Sequence, residues 1–364
     1  MRIGIYARSM IDNFGGVRKY IESMTYEISK NLEINDELYV IHNNDTNYFK
    51  IKRPNFHEVI LKSKNKVICD YVLAPTKINK LDLDVIWFPH NVIPFFIKGK
   101  KVVSVLDLAY YMKKINTYKF IDTVYMKIMI KNSCKRADKI ISISNNTKED
   151  LVKILGVNSE KITTVYLSSD DIYKRITDIG RLNKIKKKYG LKNEFILNTG
   201  AIIPRKNIYR LISAFKKIQN TIDYDLVLIG KNSYKQDKTE KLIKTNKRVI
   251  RLGYVDEEDL PCLYNLASVY VYPSLYEGFG IPILEAQSCG CPVVTSNKSC
   301  LPEISGNGAV FINPYNTEDI VKSILRIINN SDLRKKLISE GYKNKKKFNW
   351  NKSAKKVIEI IKSA

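Results

Sequence analysis

Apolar runs and amphipathic stretches alternate along this chain from one end to the other. Arg2–Ala7 reads as a strand, and Val17 to Lys30 as a helix whose Val17, Tyr20, Ile21, Met24 and Ile28 share one stripe. Apolar runs at Leu38–His42, Asp84–Phe88, Val102–Leu106 and Lys139–Ile143 predict further strands, with helices between Ile115 and Arg136 and between Asn146 and Leu155. Glu149 stands three residues after Asn146, the spacing of a capping box. Lys161–Leu167 closes this first series. From Ser168 to Asn193 the pattern breaks into polar residues and a basic helix, which places a linker at 171–193. A second series follows at Phe195–Thr199, Leu226–Ile229, Val249–Leu252, Val269–Tyr272, Val293–Ser296 and Ala309–Ile312. Trp350–Lys362 is an amphipathic helix with Val357, Ile358 and Ile361 on one side. Strands alternating with helices imply α/β domains with parallel sheets. Two Rossmann-like domains are therefore expected, at 1–170 and 194–346, with ligands at the carboxyl ends of the strands. The cleft between them is the expected active site.

Composition narrows this picture. The 364 residues are 44% hydrophobic and 27% charged, as in a globular protein with real cores. No run approaches the roughly 18 apolar residues of a membrane span. Met1-Arg-Ile-Gly-Ile-Tyr-Ala7 enters a strand directly and lacks the layout of a signal peptide, which points to the cytosol. The six cysteines are scattered, and Cys289-Gly-Cys291 is not a zinc spacing, so neither a metal site nor a disulfide framework is expected. The net charge of +25 would suit nucleic acid, anionic lipid or a phosphorylated substrate. It also reflects lysine spread over solvated faces throughout the chain.

Three stretches carry candidate chemistry. Glu277-Gly-Phe-Gly-Ile-Pro-Ile-Leu-Glu285 follows the strand Val269–Tyr272 and opens a helix near Ile281-Pro282. Gly278 and Gly280 let backbone approach a ligand, and the amides of a helix start suit phosphate. Glu285 is placed in the first turn of that helix, and both carboxylates can accept from hydroxyls, so the stretch matches a sugar nucleotide. Arg205-Lys206 follows the strand ending at Thr199, where adjacent cations can neutralise a diphosphate leaving group. The loop Asp12-Asn-Phe-Gly-Gly16 after the first strand is a weaker phosphate candidate, since many α/β turns need glycine for geometry alone.

The order Gly15-Gly16, Pro204-Arg-Lys-Asn207, Leu252-Gly-Tyr-Val255 and Tyr276-Glu-Gly-Phe-Gly-Ile-Pro-Ile-Leu-Glu285 resembles the retaining glycosyltransferases of family 4, which have the GT-B fold. Ile141-Ser-Ile-Ser144, Ser288-Cys-Gly-Cys-Pro-Val-Val294 and Phe348-Asn-Trp350 extend the resemblance over nearly the whole chain. It implies an acceptor-binding first domain, a nucleotide-sugar-binding second domain, and a last helix (347–364) that returns to the first. Arg205 and Lys206 would bind the donor diphosphate, Glu285 the ribose hydroxyls, and the backbone at Gly253, Tyr254 and Val255 the base. Glu277 would contact the transferred sugar, with Gly278, Phe279 and Gly280 holding sugar and phosphate, and Gly16 would reach the phosphates from the first domain. The resemblance implies no bound metal and no cofactor beyond the sugar nucleotide. It also implies retention by front-face attack. The Pro-Arg-Lys-Asn type makes GDP-mannose the first donor expected, with UDP- or dTDP-sugars as the alternative. The acceptor expected with it is a growing cell-surface glycan, either free or lipid-linked. A basic nucleic-acid-binding protein is the alternative of another class, but no recognised nucleic-acid module is present, and nucleic acid is not an expected partner.

One departure stands out. Val103-Ser-Val-Leu106-Asp107 carries Leu106 where related sequences often have histidine. His90, in Phe88-Pro-His-Asn-Val92, and Asp107 are the candidates for that wall of the site, beside Glu277 as the remaining catalytic candidate. The stretch Tyr110–Lys139 interleaves cations with Tyr, Met, Phe and Ile. It suits peripheral contact with an anionic membrane on the inner face. An ordinary helix with one packed face and solvated lysines is the favoured reading.

Overall fold

The computed structural model describes residues 1–8, 10, 15–44, 46–63, 65–112, 115, 117–231 and 237–364. Residues 12–14 of the candidate phosphate loop, and Lys113 and Lys114 of the basic stretch, lie outside the described residues. Two compact units are present. The first comprises Met1–Tyr111, Phe120–Leu167 and Asn349–Ala364, and the second Met112–Lys119 and Ser168–Phe348.

The first unit is built on a seven-stranded sheet of β1 (Arg2–Tyr6), β2 (Glu37–His42), β3 (Phe56–Ile60), β4 (Val85–Phe88), β5 (Lys100–Val105), β6 (Lys139–Ser142) and β7 (Ile162–Thr164). The order is β3-β2-β1-β4-β5-β6-β7, and every pairing is parallel. The strands read as near-continuous apolar runs because helices cover both faces of such a sheet. Ile86, Phe88, Val103, Val105 and Ile140 join one buried cluster. The Trp350–Lys362 helix belongs to this unit and packs on the Gly16–Asn31 helix. Ser353 Oγ donates to the Tyr166 carbonyl (2.6 Å), Trp350 lies 6.4 Å from Tyr20 ring to ring, and Lys362 pairs with Asp36 at 3.2 Å.

The second unit holds β8 (Glu194–Thr199), β9 (Tyr224–Ile229), β10 (Val249–Gly253), β11 (Val269–Tyr272), β12 (Val293–Ser296) and β13 (Ala309–Ile312). Their order is β10-β9-β8-β11-β12-β13, again all parallel. Ile208, Leu211, Ile212, Phe215 and Ile218 recur at helical spacing and bury one face of the Ile208–Ile218 helix against Leu226, Leu228 and Val271. In each sheet the order reverses between the first and fourth strands, β1/β4 and β8/β11, where doubly wound sheets bind ligands.

Several local expectations change. Strand β3 and the helical turns of residues 66–78 have no counterpart in the expected elements, because the Phe56–Ile60 edge strand mixes His57 and Glu58 with its apolar residues. The long helix starts at Phe120 rather than Ile115. The cap of the Asn145–Leu155 helix is Ser144, whose extended backbone lets its Oγ accept from Thr147 N (3.1 Å); it is not the Asn146/Glu149 pair. Where the sequence pattern places a linker, Ile179–Lys188 is a helix of the second unit. It packs on Leu260–Leu266, and Lys188 pairs with Asp256 and Asp259.

Candidate functional site

The second unit gathers most of the candidate residues at the switch between β8 and β11. Past β8, Gly200 has φ 116° and Gly230, after β9, has φ 146°. A Cβ on Gly230 would fall 2.1 Å from the Gly200 carbonyl oxygen, so that close approach admits only glycine. The chain then makes a tight turn at Pro204–Lys206, held by Lys206 N to the Ile203 carbonyl (3.0 Å). Asn207, with φ 60°, donates its side-chain amide to the Pro273 (3.1 Å) and Pro314 (2.7 Å) carbonyls. This anchors Arg205 and Lys206 beside the end of β11.

Both cations converge on Glu277. Lys206 Nζ lies 2.7 Å from Glu277 Oε1, and Arg205 Nη1 donates to Oε2. Arg205 Nη1 also approaches the Tyr276 carbonyl at 3.3 Å. The Lys206 ammonium donates to the Tyr272 hydroxyl and sits 4.5 Å from the centre of that ring. Glu277 is only 5% exposed. Burial raises its pKa, but the charges and hydrogen bonds of Arg205 and Lys206 outweigh that, and it falls to about 2. The buried carboxylate is therefore ionised at neutral pH, its own desolvation outweighed by the two cations.

The backbone of Glu277 is fixed from the other side. Its N–H donates to Ser299 Oγ (3.0 Å), Ser299 Oγ donates back to its carbonyl (2.9 Å), and the Cys300 thiol reaches the Glu277 (3.1 Å) and Phe279 (2.9 Å) carbonyls. Gly278, Phe279 and Gly280 make the turn into the Ile281–Ser288 helix. Phe279 is buried edge-on against Phe348 with ring centres 5.8 Å apart, and Gly280 has φ 111°. Pro282 occupies the second helical position.

Glu285 is the fifth residue of that helix, past the first turn in which the sequence reading placed it, because the helix begins at Ile281. Its Oε2 accepts from the Tyr264 hydroxyl (2.8 Å). Tyr264 and Tyr270 also meet Thr199 Oγ1 at 2.9 and 3.0 Å, and Tyr270 stacks on Tyr272 at 5.9 Å. Burial, then the nearby Glu285 charge, pushes the Tyr264 phenol well up, so it stays a donor. This wall of Thr199, Tyr264, Tyr270 and Tyr272 spans the interval between the two glutamates. It is absent from the sequence-derived site, although alternation along Val269-Tyr-Val-Tyr272 places both tyrosines on one face.

The remaining candidates sit elsewhere. Tyr254 is exposed after β10, while Val255 is buried and the Gly253 carbonyl accepts from Gly230 N (3.0 Å). In the first unit, Gly16 begins a helix after Gly15 (φ 92°), with open space where either would carry a Cβ. His90 follows β4, and its carbonyl accepts from Val92 N. Asp107 Oδ1 accepts from Ala109 N (2.9 Å). Leu106 is buried, its N–H held by Asn91 Oδ1 at 2.8 Å. Among the described residues no group of three His, Cys, Asp or Glu could hold a metal ion, and no helix is long and apolar enough to cross a membrane.

Two parallel-sheet units of this topology define the GT-B fold of glycosyltransferases. Sucrose-phosphate synthase from Thermosynechococcus elongatus superposes on all of this chain and 98% of its own with a TM-score of 0.80 at 17% identity. HepE of Anabaena, in complex with UDP-glucose, does so over all of both chains with a TM-score of 0.78 at 17% identity. Within this fold, residues 182–344 match the family described as glycosyl transferases group 1, and that segment lies inside the second unit. O-antigen chain mannosyltransferase B of Escherichia coli is 31% identical over 65% of this chain and 64% of its own. O-antigen chain mannosyltransferase RfbU of Salmonella typhimurium is 31% identical over 62% and 59%. The chain thus spans less than two thirds of the length of these curated relatives.

Proposed function

We propose that the protein is a glycosyltransferase of the retaining, metal-independent kind, moving mannose from GDP-mannose to a growing, lipid-linked glycan of the O-antigen type at the cytosolic face of a membrane. The observation that carries this reading is the convergence of Arg205 and Lys206 on a buried, ionised Glu277 at the carboxyl ends of β8 and β11. The likeness to two O-antigen chain mannosyltransferases supports mannose and an O-antigen acceptor.

In this reading the second unit binds the donor. Arg205 and Lys206 take the diphosphate and supply the positive charge that a metal supplies elsewhere. Amides from Gly278 to Gly280 assist, and Glu285, oriented by Tyr264, accepts from the ribose hydroxyls. Tyr254 and Val255 border the base, and Glu277 accepts from hydroxyls of the sugar. The bond between the anomeric carbon and the diphosphate oxygen breaks while a new one forms to the acceptor oxygen on the same face. The acceptor proton passes to the departing phosphate oxygen. Developing negative charge on that oxygen is stabilised by the two cations, whose geometry is set before the reaction. The first unit binds the acceptor, with His90 and Asp107 serving it in place of a histidine at Leu106.

Purified protein incubated with GDP-mannose, UDP-glucose and dTDP-glucose, with and without chelator, tests the reading. Turnover of GDP-mannose unaffected by chelator, with an axial linkage by NMR, is the expected result. Failure to bind or turn over any sugar nucleotide overturns it. A UDP-sugar donor is the second reading, favoured by the likeness to a fold solved with UDP-glucose.

A further inference from the structure

The Phe120–Arg136 helix has two apolar faces, and only one is packed. Met129, Ile130, Ser133 and Cys134 are buried in the core of the first unit. Phe120, Ile121, Val124, Tyr125 and Ile128 recur at helical spacing on the opposite side, and Phe120 and Ile121 are 81% and 80% exposed. The favoured sequence reading of one packed face and solvated lysines therefore fails for the first half of this helix. In its second half the same exposed side carries Lys131 and Lys135, and Asp122 is the helix's only acid.

The exposed patch continues onto the π-helical turn at Cys69–Leu73 and the residues before it. Tyr71 OH lies 2.9 Å from Tyr125 OH and donates to Met129 Sδ at 3.6 Å, which joins the turn to the helix. Val67 and Val72 there are 63% and 53% exposed, beside exposed Lys62 and Lys66. A contiguous apolar surface rimmed by cations is uncommon on a protein that meets only water.

We propose that this face of the first unit docks on an anionic lipid bilayer, with Phe120, Ile121 and Ile128 entering the headgroup boundary and the lysines meeting lipid phosphates. Charge selects this occupant. The lysines that rim the patch would repel the same patch on a second copy of the chain, whereas each adds attraction to an anionic surface. The net charge of +25 adds a long-range pull toward the same surface. The inference rests on the lipid-linked acceptor of the proposed reaction, since docking would bring the acceptor-binding unit to its substrate.

Co-sedimentation of the full chain with phosphatidylglycerol–phosphatidylethanolamine vesicles, against phosphatidylcholine vesicles, tests the proposal. Wild type should sediment with the anionic vesicles only. The triple variant Phe120→Ser, Ile121→Ser, Ile128→Ser should bind them about tenfold less or worse, and Lys131→Glu with Lys135→Glu likewise. GDP-induced thermal stabilisation should match wild type in both variants, which confirms that they fold. Wild type that ignores anionic vesicles, or a triple variant that sediments as wild type does, overturns the proposal. So does a dimer seen by light scattering that only the triple variant dissociates, with no vesicle binding. The transfer reading fails separately: wild type that binds vesicles yet transfers no sugar to a water-soluble acceptor leaves the docking face standing.

Discussion

In each sheet an arginine past the end of the first strand meets a buried carboxylate, yet the two clusters differ in charge. In the first unit Arg8 Nε donates to Asp70 Oδ1 (2.6 Å), which also accepts from the Tyr6 hydroxyl (2.6 Å). Burial, then the Asp70 charge, pushes the Tyr6 phenol well above its ordinary range, so it contributes a proton but no charge. In the second unit Glu277 meets two cations, Arg205 and Lys206. The strand order is the same over the six strands that the sheets share, so topology alone does not gather two cations on one carboxylate. What distinguishes the second unit is a second cation and a loop that brings Glu277 back to the end of β8.

The sharpest way to break this comparison is Glu277→Gln. Sugar transfer should fall by roughly two to three orders of magnitude, while calorimetry should find GDP bound more tightly, because Arg205 and Lys206 lose a competing anion. Weakened GDP binding would mean that Glu277 organises the cations rather than competing for them. Next in size, Arg205→Ala should cost transfer roughly a hundredfold and Arg8→Ala less than about tenfold. Equal losses would make the two clusters functional equals.

Acid unfolding separates the clusters by stability. Glu277 has a folded pKa of about 2 against an ordinary 4.5. Its ion pairs therefore stabilise fully above about pH 4.5, and that contribution is lost as pH falls toward 2. It is worth about 3 kcal/mol, and Glu277→Gln should remove this part of the pH dependence from chemical-denaturation curves. Asp70→Asn should lower stability by about 1–3 kcal/mol at neutral pH, because it weakens a buried acceptor of two donors, and leave GDP affinity as it was. The smallest effect expected is for Tyr264→Phe, about three- to tenfold weaker binding of GDP and no change for its 2′,3′-dideoxy analogue. Equal weakening of both ligands would assign Tyr264 a packing role only.

The sheet strands were legible because parallel strands buried on both faces must be apolar runs, and every strand of the two sheets except β3 shows such a run. The β3 edge strand was not, since His57 and Glu58 interrupt the run and its pairing with β2 is a long-range decision. Arg205, Lys206 and Glu277 were each legible as chemistry, because paired cations past a strand end and a carboxylate beside glycines at a helix start suit a diphosphate and hydroxyls. Their mutual pairing was not, as 72 residues separate Arg205 from Glu277. The tyrosine wall escaped for a simpler reason: Tyr270 and Tyr272 look like ordinary core residues until Thr199, Lys206 and Glu285 are found around them.

Hydrophobic period and turn chemistry act over a few residues, so the sequence by itself determined the alternation of strand and helix, the glycine turns, and the residue types available at each strand end. Charge state and partner choice depend on distance and burial, which no local pattern contains. Only the tertiary structure decided that Glu277 is buried between two cations and ionised, that Glu285 answers to Tyr264, and that Phe120 and Ile121 face outward. Each of these is set by what distant segments place, or fail to place, against the side chain.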